Sequence, residues 1–391
     1  MQLISRIISS FKREVREIAK NRLYLTMLVT LPIVALAFYT LIFSDGSIKN
    51  LPIAIVDEDG SESSYRLISM LNATRGIEVE FSAQSAEEAE QMLRSGSIYG
   101  FIVIPKDLDA NIYSGTTSVV DLFLSGANLS ASGIIERDAQ QTILTLAAGI
   151  SLNKLLASGV GYHQAMIEIS PVNVQSHIIS NPYLNYGYYL APVFMFMAIV
   201  IFTVLATIYA FGRELRYATT KEWLSSANNS MWGAIIGKAL PTTIAMAIYV
   251  QIIFAILFLF MGMECAGSYL IITLGSILFI IAYQSVAITI ISLTTNLRLA
   301  LSLGGGYAVM AFTFSGITFP TTAMFGVARA LSAFFPLGYF TQIFINEAMR
   351  GTPTEYSVKY LIAISLFIIP VLLVKHRLKR ISLDERYWSR D

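Results

Sequence analysis

Apolar residues run in six long blocks along the chain, at about 23–43, 188–211, 236–262, 269–294, 299–319 and 358–375. A helix needs roughly 20 apolar residues to cross a hydrocarbon core, so each block predicts one span. Ahead of the first block, Ile4, Ile7, Ile8, Phe11, Val15 and Ile18 recur at helical spacing, while Lys12, Arg16 and Lys20 fall on another face. Residues 1–22 therefore predict an amphipathic helix lying in the membrane interface, its basic heads reaching toward lipid phosphates. A further apolar stretch, 323–349, is interrupted by Pro336 and contains Arg329 and Glu347. One more full span would put the chain ends on opposite sides. We read 321–350 instead as helices that dip into the outer leaflet, their interrupted backbone shielded by protein.

Between the first two blocks the period changes. Strand-like stretches (52–56, 77–81, 99–104, 119–124) alternate with helix-like ones (63–71, 86–94, 106–113), and a long helical pattern follows over 129–158. Such alternation predicts a small α/β domain over 44–187. Ser85 with Glu88 forms a capping-box pattern, and Gly96 lies where that helix should stop.

Composition places the chain in lipid. Of 391 residues, 55% are hydrophobic and only 14% charged, and the mean hydropathy is +0.61; this exceeds what a soluble protein of that size carries. Charge then orients it. Lys12, Arg13, Arg16, Lys20 and Arg22, then Arg213, Arg216, Lys221 and Lys238, then Lys375, Arg377, Lys379 and Arg380 all fall on one side of a six-span topology. That side is the cytoplasm. The acid-rich 44–187 segment lies outside, and both termini, including a 376–391 tail, lie inside. The expected fold is a polytopic α-helical membrane protein of six transmembrane helices, TM1 at 23–43 and TM2–TM6 within 188–375, with an α/β extracytosolic domain inserted between helices 1 and 2. The first block is too long for a cleaved leader and has no small-residue cleavage site, so it reads as a retained anchor. A single cysteine, Cys265, excludes an internal disulfide framework.

Little in the chain suggests chemistry of its own. Asp57-Glu58-Asp59-Gly60 lacks the ligand spacing of a calcium loop and fits a strand-to-helix turn better. His163, His177 and His376 are scattered, with neither metal spacing nor a nucleophile pattern. Asn72 and Asn128 open glycosylation sequons, a pattern common by chance. Gly233 to Lys238 has three residues between its glycines and Ala239 after the lysine, which a phosphate-binding loop does not tolerate. The spans are almost free of charge away from their ends, whereas ion-coupled carriers place ionisable groups or broken helices near mid-membrane. An external motor fits this pattern better than a secondary transporter. No catalytic or metal constellation is expected, and no nucleic-acid partner.

The segment Phe211 to Pro241 shows where a motor would act. A span ends in Arg213-Glu214, a helix-sized linker holds Thr220, Glu222, Trp223 and Leu224, and Gly237-Lys238-Ala239-Leu240-Pro241 opens the next span. This resembles the coupling helix of type-2 ATP-binding-cassette (ABC) exporter permeases, in which an Arg-Glu pair, a Gly-Thr-x-Glu-x-Leu elbow and a Gly-Lys-x-Leu-Pro segment follow in that order. Three positions depart: Thr219 for the usual Gly, Asn228 for Pro and Gly233 for an acidic residue. The resemblance extends to the 56–60 turn, the Gly100–Pro105 strand with its following Lys-Asp-Leu helix, Asn181-Pro182, the Ser315-Gly316-x-x-Phe319-Pro320 segment (x at 318 is Thr318) and Pro336-Leu337-Gly338-Tyr339.

What the resemblance implies is a permease subunit of the bacterial inner membrane that exports an amphipathic, lipid-like or drug-like substrate. Its partners would be cytoplasmic ABC ATPase subunits, which bind ATP and Mg in place of any cofactor in this chain, a second permease in a homodimer or heterodimer, and membrane lipid; a periplasmic adaptor stays open. The coupling helix would cover 219–231, with Arg213, Glu214, Thr220, Glu222, Trp223, Leu224, Gly237 and Lys238 transmitting the ATPase stroke. In this reading the carboxylate of Glu222 meets a basic groove and the Trp223 indole fills a pocket of the partner. Tyr188, Phe194, Phe196, Phe312, Phe314 and Ser315 would line the substrate path, although the same aromatics also suit helix packing. The alternative is a non-transporting membrane receptor or scaffold that presents the extracytosolic domain.

Overall fold

A computed structural model describes residues 2–170, 180–181, 185–317 and 319–389. His177, Pro182 and Thr318, each noted in the sequence, lie outside the described residues. The chain divides into two compact units, Met1–Gly46 with Ile178–Asp391, and Ser47–His177.

The chain opens with α1 (Gln2–Lys20) and turns at Asn21, whose side chain accepts a hydrogen bond from the Tyr24 amide at 3.0 Å and so starts α2 (Arg22–Ile42). Of the apolar stripe read from the sequence on α1, Ile4, Ile8 and Val15 are exposed, Ile7 and Phe11 half-buried and Ile18 buried, while Ser10 and Glu14 are buried beside Ile18. A helix usually hides its apolar face. Here polar residues are inside as well, because Arg13, Glu14 and Glu17 find charged partners far along the chain.

The second unit follows in chain order as β1 (Leu51–Asp57), α3 (Glu62–Asn72), β2 (Ile77–Ser82), α4 (Ala86–Ser95), β3 (Gly100–Ile104), α5 (Leu108–Ser114), β4 (Asp121–Leu124), α6 (Leu129–Ala157) and α7 (Tyr162–Ile169). Its sheet has the order β2-β1-β3-β4, parallel except for β4. β1 is central and buried on both faces, which explains its unbroken apolar run. Ile53 and Ile55 pack against Leu67, Leu71 and Ile135 on one side, and Ala54 and Val56 against Ala89 and Ile98 on the other.

The acidic 57–60 turn is a strand-to-helix connection: the Asp57 carboxylate accepts from the Asp59 and Gly60 amides at 3.1 and 3.0 Å and from the Ser64 hydroxyl at 2.8 Å. Ser85 caps α4 by accepting from the Glu88 amide at 3.3 Å. The return bond of Glu88 goes to the Gln84 amide at 2.7 Å instead of to Ser85, so the box closes one residue early. Gly96 ends α4 at φ 78°, a left-handed conformation that a side chain would strain.

The remainder of the first unit is α8 (Tyr186–Arg216), α9 (Thr220–Ser226), α10 (Met231–Phe260), α11 (Tyr269–Thr294), α12 (Leu297–Thr313), α13 (Gly326–Ser332), α14 (Pro336–Phe344) and α15 (Glu355–Leu383). Among the described residues five helices, α2, α8, α10, α11 and α15, are long and apolar enough to cross a membrane. The sixth apolar block is the shorter α12, whose 17 residues span about 26 Å at 1.5 Å per residue, against a core of about 30 Å. Burial separates the five: α8 and α11 are largely enclosed, whereas α2, α10 and α15 leave most of their apolar surface outward. Within 321–350 the helices are short. Phe340, Ile343 and Phe344 of α14 enter the main core, and the buried Glu347 accepts the Ser268 amide at 2.8 Å at the start of α11. A carboxylate at a helix N-terminus meets unpaired amides and the positive end of the dipole.

Candidate functional site

Three helices meet where α8 ends, and they meet through charge. Lys238, eight residues into α10 and 0% exposed, donates to Glu14 of α1 and to Glu214 of α8, the latter at 2.7 Å. Arg13 grips the same Glu214 through both carboxylate oxygens, at 2.6 and 3.0 Å. Arg213 pairs with Glu17 at 2.5 Å beside it. Arg13, Arg213 and Lys238 thus balance Glu14, Glu17 and Glu214, which is what permits six charges to sit in and around a buried joint. Burial opposes the charge of Arg13, yet the Glu214 hydrogen bond and the carboxylates of Glu214, Glu14 and Glu17 hold its guanidinium above the ordinary value.

Close approach of the backbones makes this geometry possible. A Cβ on Gly237 would lie 2.6 Å from the Ile7 carbonyl oxygen and 2.6 Å from Ser10 Cβ. Glycine is therefore what lets α1 lie against α10.

α9 is fastened to this joint from the other side. Trp223, 2% exposed, donates its indole N–H to the Ala234 carbonyl at 3.2 Å, meets Phe211 edge-on at 5.4 Å and lies under Lys238 Nζ at 5.7 Å. Leu224 and Thr220 are buried beside it. This corrects the expectation for Trp223: its pocket is supplied by its own chain, because a seven-residue helix must bury one face against its neighbours to stay folded. The outward face of α9 and its following turn consists of Lys221, Glu222, Ser225, Asn228 and Asn229. Of the residues expected at the motor contact, only Glu222 is exposed there. Lys221 joins Glu385 at 2.7 Å, a solvent-facing pair of small energetic weight.

The three departures from the resembled pattern have local reasons. Thr219 adds a hydroxyl that donates to Glu214 at 2.5 Å. Asn228 sits at φ 50° and Asn229 at φ 58°; asparagine tolerates that region, whereas proline is locked near −65°. At Gly233 a Cβ would stand 3.0 Å from Arg6 Cβ.

The residues expected to line a path separate into two groups. Phe196 is fully buried among Phe254, Phe340 and Phe344, so it is a core residue and not a lining one. Phe194 packs with Tyr39, Phe43 and Phe312, and the Tyr188 hydroxyl is committed to the Met261 carbonyl at 3.0 Å. Phe314 and Ser315 do face an opening, a cavity of about 630 Å³ whose wall also includes Tyr189, Gln342, Arg329 and Arg350. Tyr189, the neighbour of Tyr188, is in that wall. The charged joint was missed in part, since Arg13 read only as one of a basic cluster and Glu14 and Glu17 were not singled out. Two glutamates inside a segment otherwise rich in lysine and arginine were the available signal.

Residues 22–374 match the model of the ABC-2 family transporter proteins. Over 309 residues the chain is 22% identical to the probable multidrug ABC transporter permease YbhR of Escherichia coli strain K12, covering 77% of this chain and 79% of that protein. The same figures hold for the protein of that name in Escherichia coli O157:H7. With long apolar helices organised around a short amphipathic connector, and a match running through all of them, the chain belongs to the ABC-2 transporter family, as a membrane component of an ABC transporter.

Proposed function

We propose that this chain is one of two permease subunits of an exporter driven by separate cytoplasmic ATPase subunits. The observation that carries the reading is the joint: α9 is locked by Trp223 and the Glu214–Lys238 cluster to the ends of α8 and α10, so a push on its outward face is delivered to two long helices at once. Glu222 is the residue that offers a charge to the motor, while Trp223, Leu224 and Lys238 pass the displacement on. The exposed apolar side chains of α1 rest in the cytoplasmic interface, beside basic heads at Lys12, Arg16 and Lys20. α12 serves as the sixth span and restores an even count, with both termini inside. The multidrug designation of the Escherichia coli relatives supports an amphipathic substrate.

Two experiments test this. Purification in mild detergent should recover a nucleotide-binding chain with this one, and substrate-stimulated ATP hydrolysis of that complex should be lost in Glu222→Lys although the chain still inserts and assembles. Undiminished stimulation in Glu222→Lys would show that α9 is not the contact. Sidedness is checked by labels at Ser114 and Ser389: the first should react from outside intact cells and the second only after permeabilisation. Labelling of both from one side would end the six-span topology.

A further inference from the structure

The cavity at Phe314 and Ser315 has a charge character that packing alone does not account for. Two guanidiniums, Arg329 and Arg350, stand in its wall, and none of its lining residues is acidic. Arg329 is occupied: its Nε donates to the Thr321 carbonyl at 3.2 Å and its Nη2 to those of Thr322 and Met324 at 2.6 and 3.2 Å. Carbonyls accept the hydrogen bonds but leave the charge uncompensated. Arg350 has neither ion pair nor hydrogen bond among the described residues, and the half-buried amide of Gln342 is equally unused. Arg329 and Arg350 are exposed, unlike Arg13, Arg213 and Lys238, which are buried or half-buried and paired with carboxylates. The nearby carboxylate of Glu347 is turned to the Ser268 amide.

Ser315, Thr321, Thr322 and Ser332 add hydroxyls to the wall, and one stretch of it is apolar. Phe314 is stacked on Phe335 with rings 5.2 Å apart and 6° from parallel, and Ile345 and Tyr360 continue the surface. A positive, donor-rich corner beside an aromatic and aliphatic wall suits a molecule with an anionic head and an alkyl body.

We propose that this cavity binds anionic amphiphiles, a phosphate or carboxylate head lying against Arg350 and Gln342 and the alkyl body against Phe314, Ile345 and Tyr360. The inference deepens the permease reading, since it names the class of molecule for a cavity that holds two of its expected path residues; binding itself can be read on this chain alone.

The test uses the full chain in phosphatidylcholine nanodiscs, with dodecyl phosphate as probe and dodecyltrimethylammonium and inorganic phosphate as comparators. Wild type should hold dodecyl phosphate in preference to the ammonium compound, and Arg350→Gln should weaken it about tenfold or more, the size of one charge-assisted contact. Arg350→Lys should retain part of the affinity. Gln342→Glu, which places a carboxylate in the same space, should abolish phosphate binding and favour the ammonium compound. Equal binding of the two amphiphiles by wild type, or unchanged binding in both Arg350→Gln and Gln342→Glu, would overturn the proposal. Displacement of dodecyl phosphate by inorganic phosphate at equal concentration would overturn the amphiphile and leave a free-anion site. Binding that follows these rules in a chain that stimulates no ATPase would count against the permease reading and not against the cavity.

Discussion

The two ends of α8 handle charge in opposite ways. At the Glu214 end every cation within the packed joint has a carboxylate, the sum is zero, and a glycine brings the helices into contact. At the Tyr189 end, about 37 Å away at 1.5 Å per residue, the wall holds two arginines and no acid around open space. On the function proposed above, the balanced, filled cluster would transmit force because it cannot rearrange cheaply, and the open one would take a ligand from outside.

The sharpest way to break the contrast is at the joint. Lys238→Met leaves Glu14 and Glu214 buried with one cation fewer, and removing one partner of a buried pair costs about 3–5 kcal/mol. Trp223→Ala opens a core void and should cost a similar amount, about 3–5 kcal/mol. Both should appear as loss of the monodisperse species after heating in detergent, and Glu14→Gln should rescue part of the Lys238→Met defect; a Lys238→Met protein as heat-resistant as wild type would mean that the cluster bears no load. Gly237→Ala comes next, at about 1–3 kcal/mol for overpacking, read as faster proteolysis within residues 2–20. Glu222→Lys, on the outward face, should shift stability by no more than about 0.5 kcal/mol and so keep its heating profile while losing motor stimulation. The smallest effect belongs to Cys265. Burial, with the nearby Glu347 charge, pushes its thiol above the ordinary value; only the thiolate reacts. Alkylation at pH 7 should be slower than for free cysteine and become equal after denaturation, and Cys265→Ser should leave assembly unchanged.

Much of the architecture was legible because apolar length and period-two alternation are local signals. The helices at α2, α8, α10, α11 and α15, the strands of the second unit and the break at Gly96 each follow from their own residues. α12 came out shorter than its apolar run, since the chain turns at Phe314 and Gly316 takes φ 84°. The joint was less legible. Glu214, Gly237 and Lys238 were found through their resemblance to a known pattern, but Glu14 and Arg13 lie about 200 residues earlier, and no periodicity encodes which surface carboxylate will be buried by a distant lysine. Trp223 was recognised and its direction was not, because an amphipathic seven-residue helix does not say which neighbour covers its apolar side.

The separation of Glu14 from Lys238 by 224 residues also sets an order of events during synthesis. At about 5–20 residues per second the lysine leaves the ribosome roughly 10–45 s after the glutamate. For that interval α1 has exposed isoleucines on one side and an unmatched carboxylate on the other, and the lipid surface is the only place that accepts the first while leaving the second in water. The N-terminal helix would then be moored first by its apolar side and joined on its polar side by α10 once Gly237 and Lys238 arrive. Nascent chains arrested before residue 238 should accordingly leave α1 open to protease, and chains arrested well beyond it should protect it.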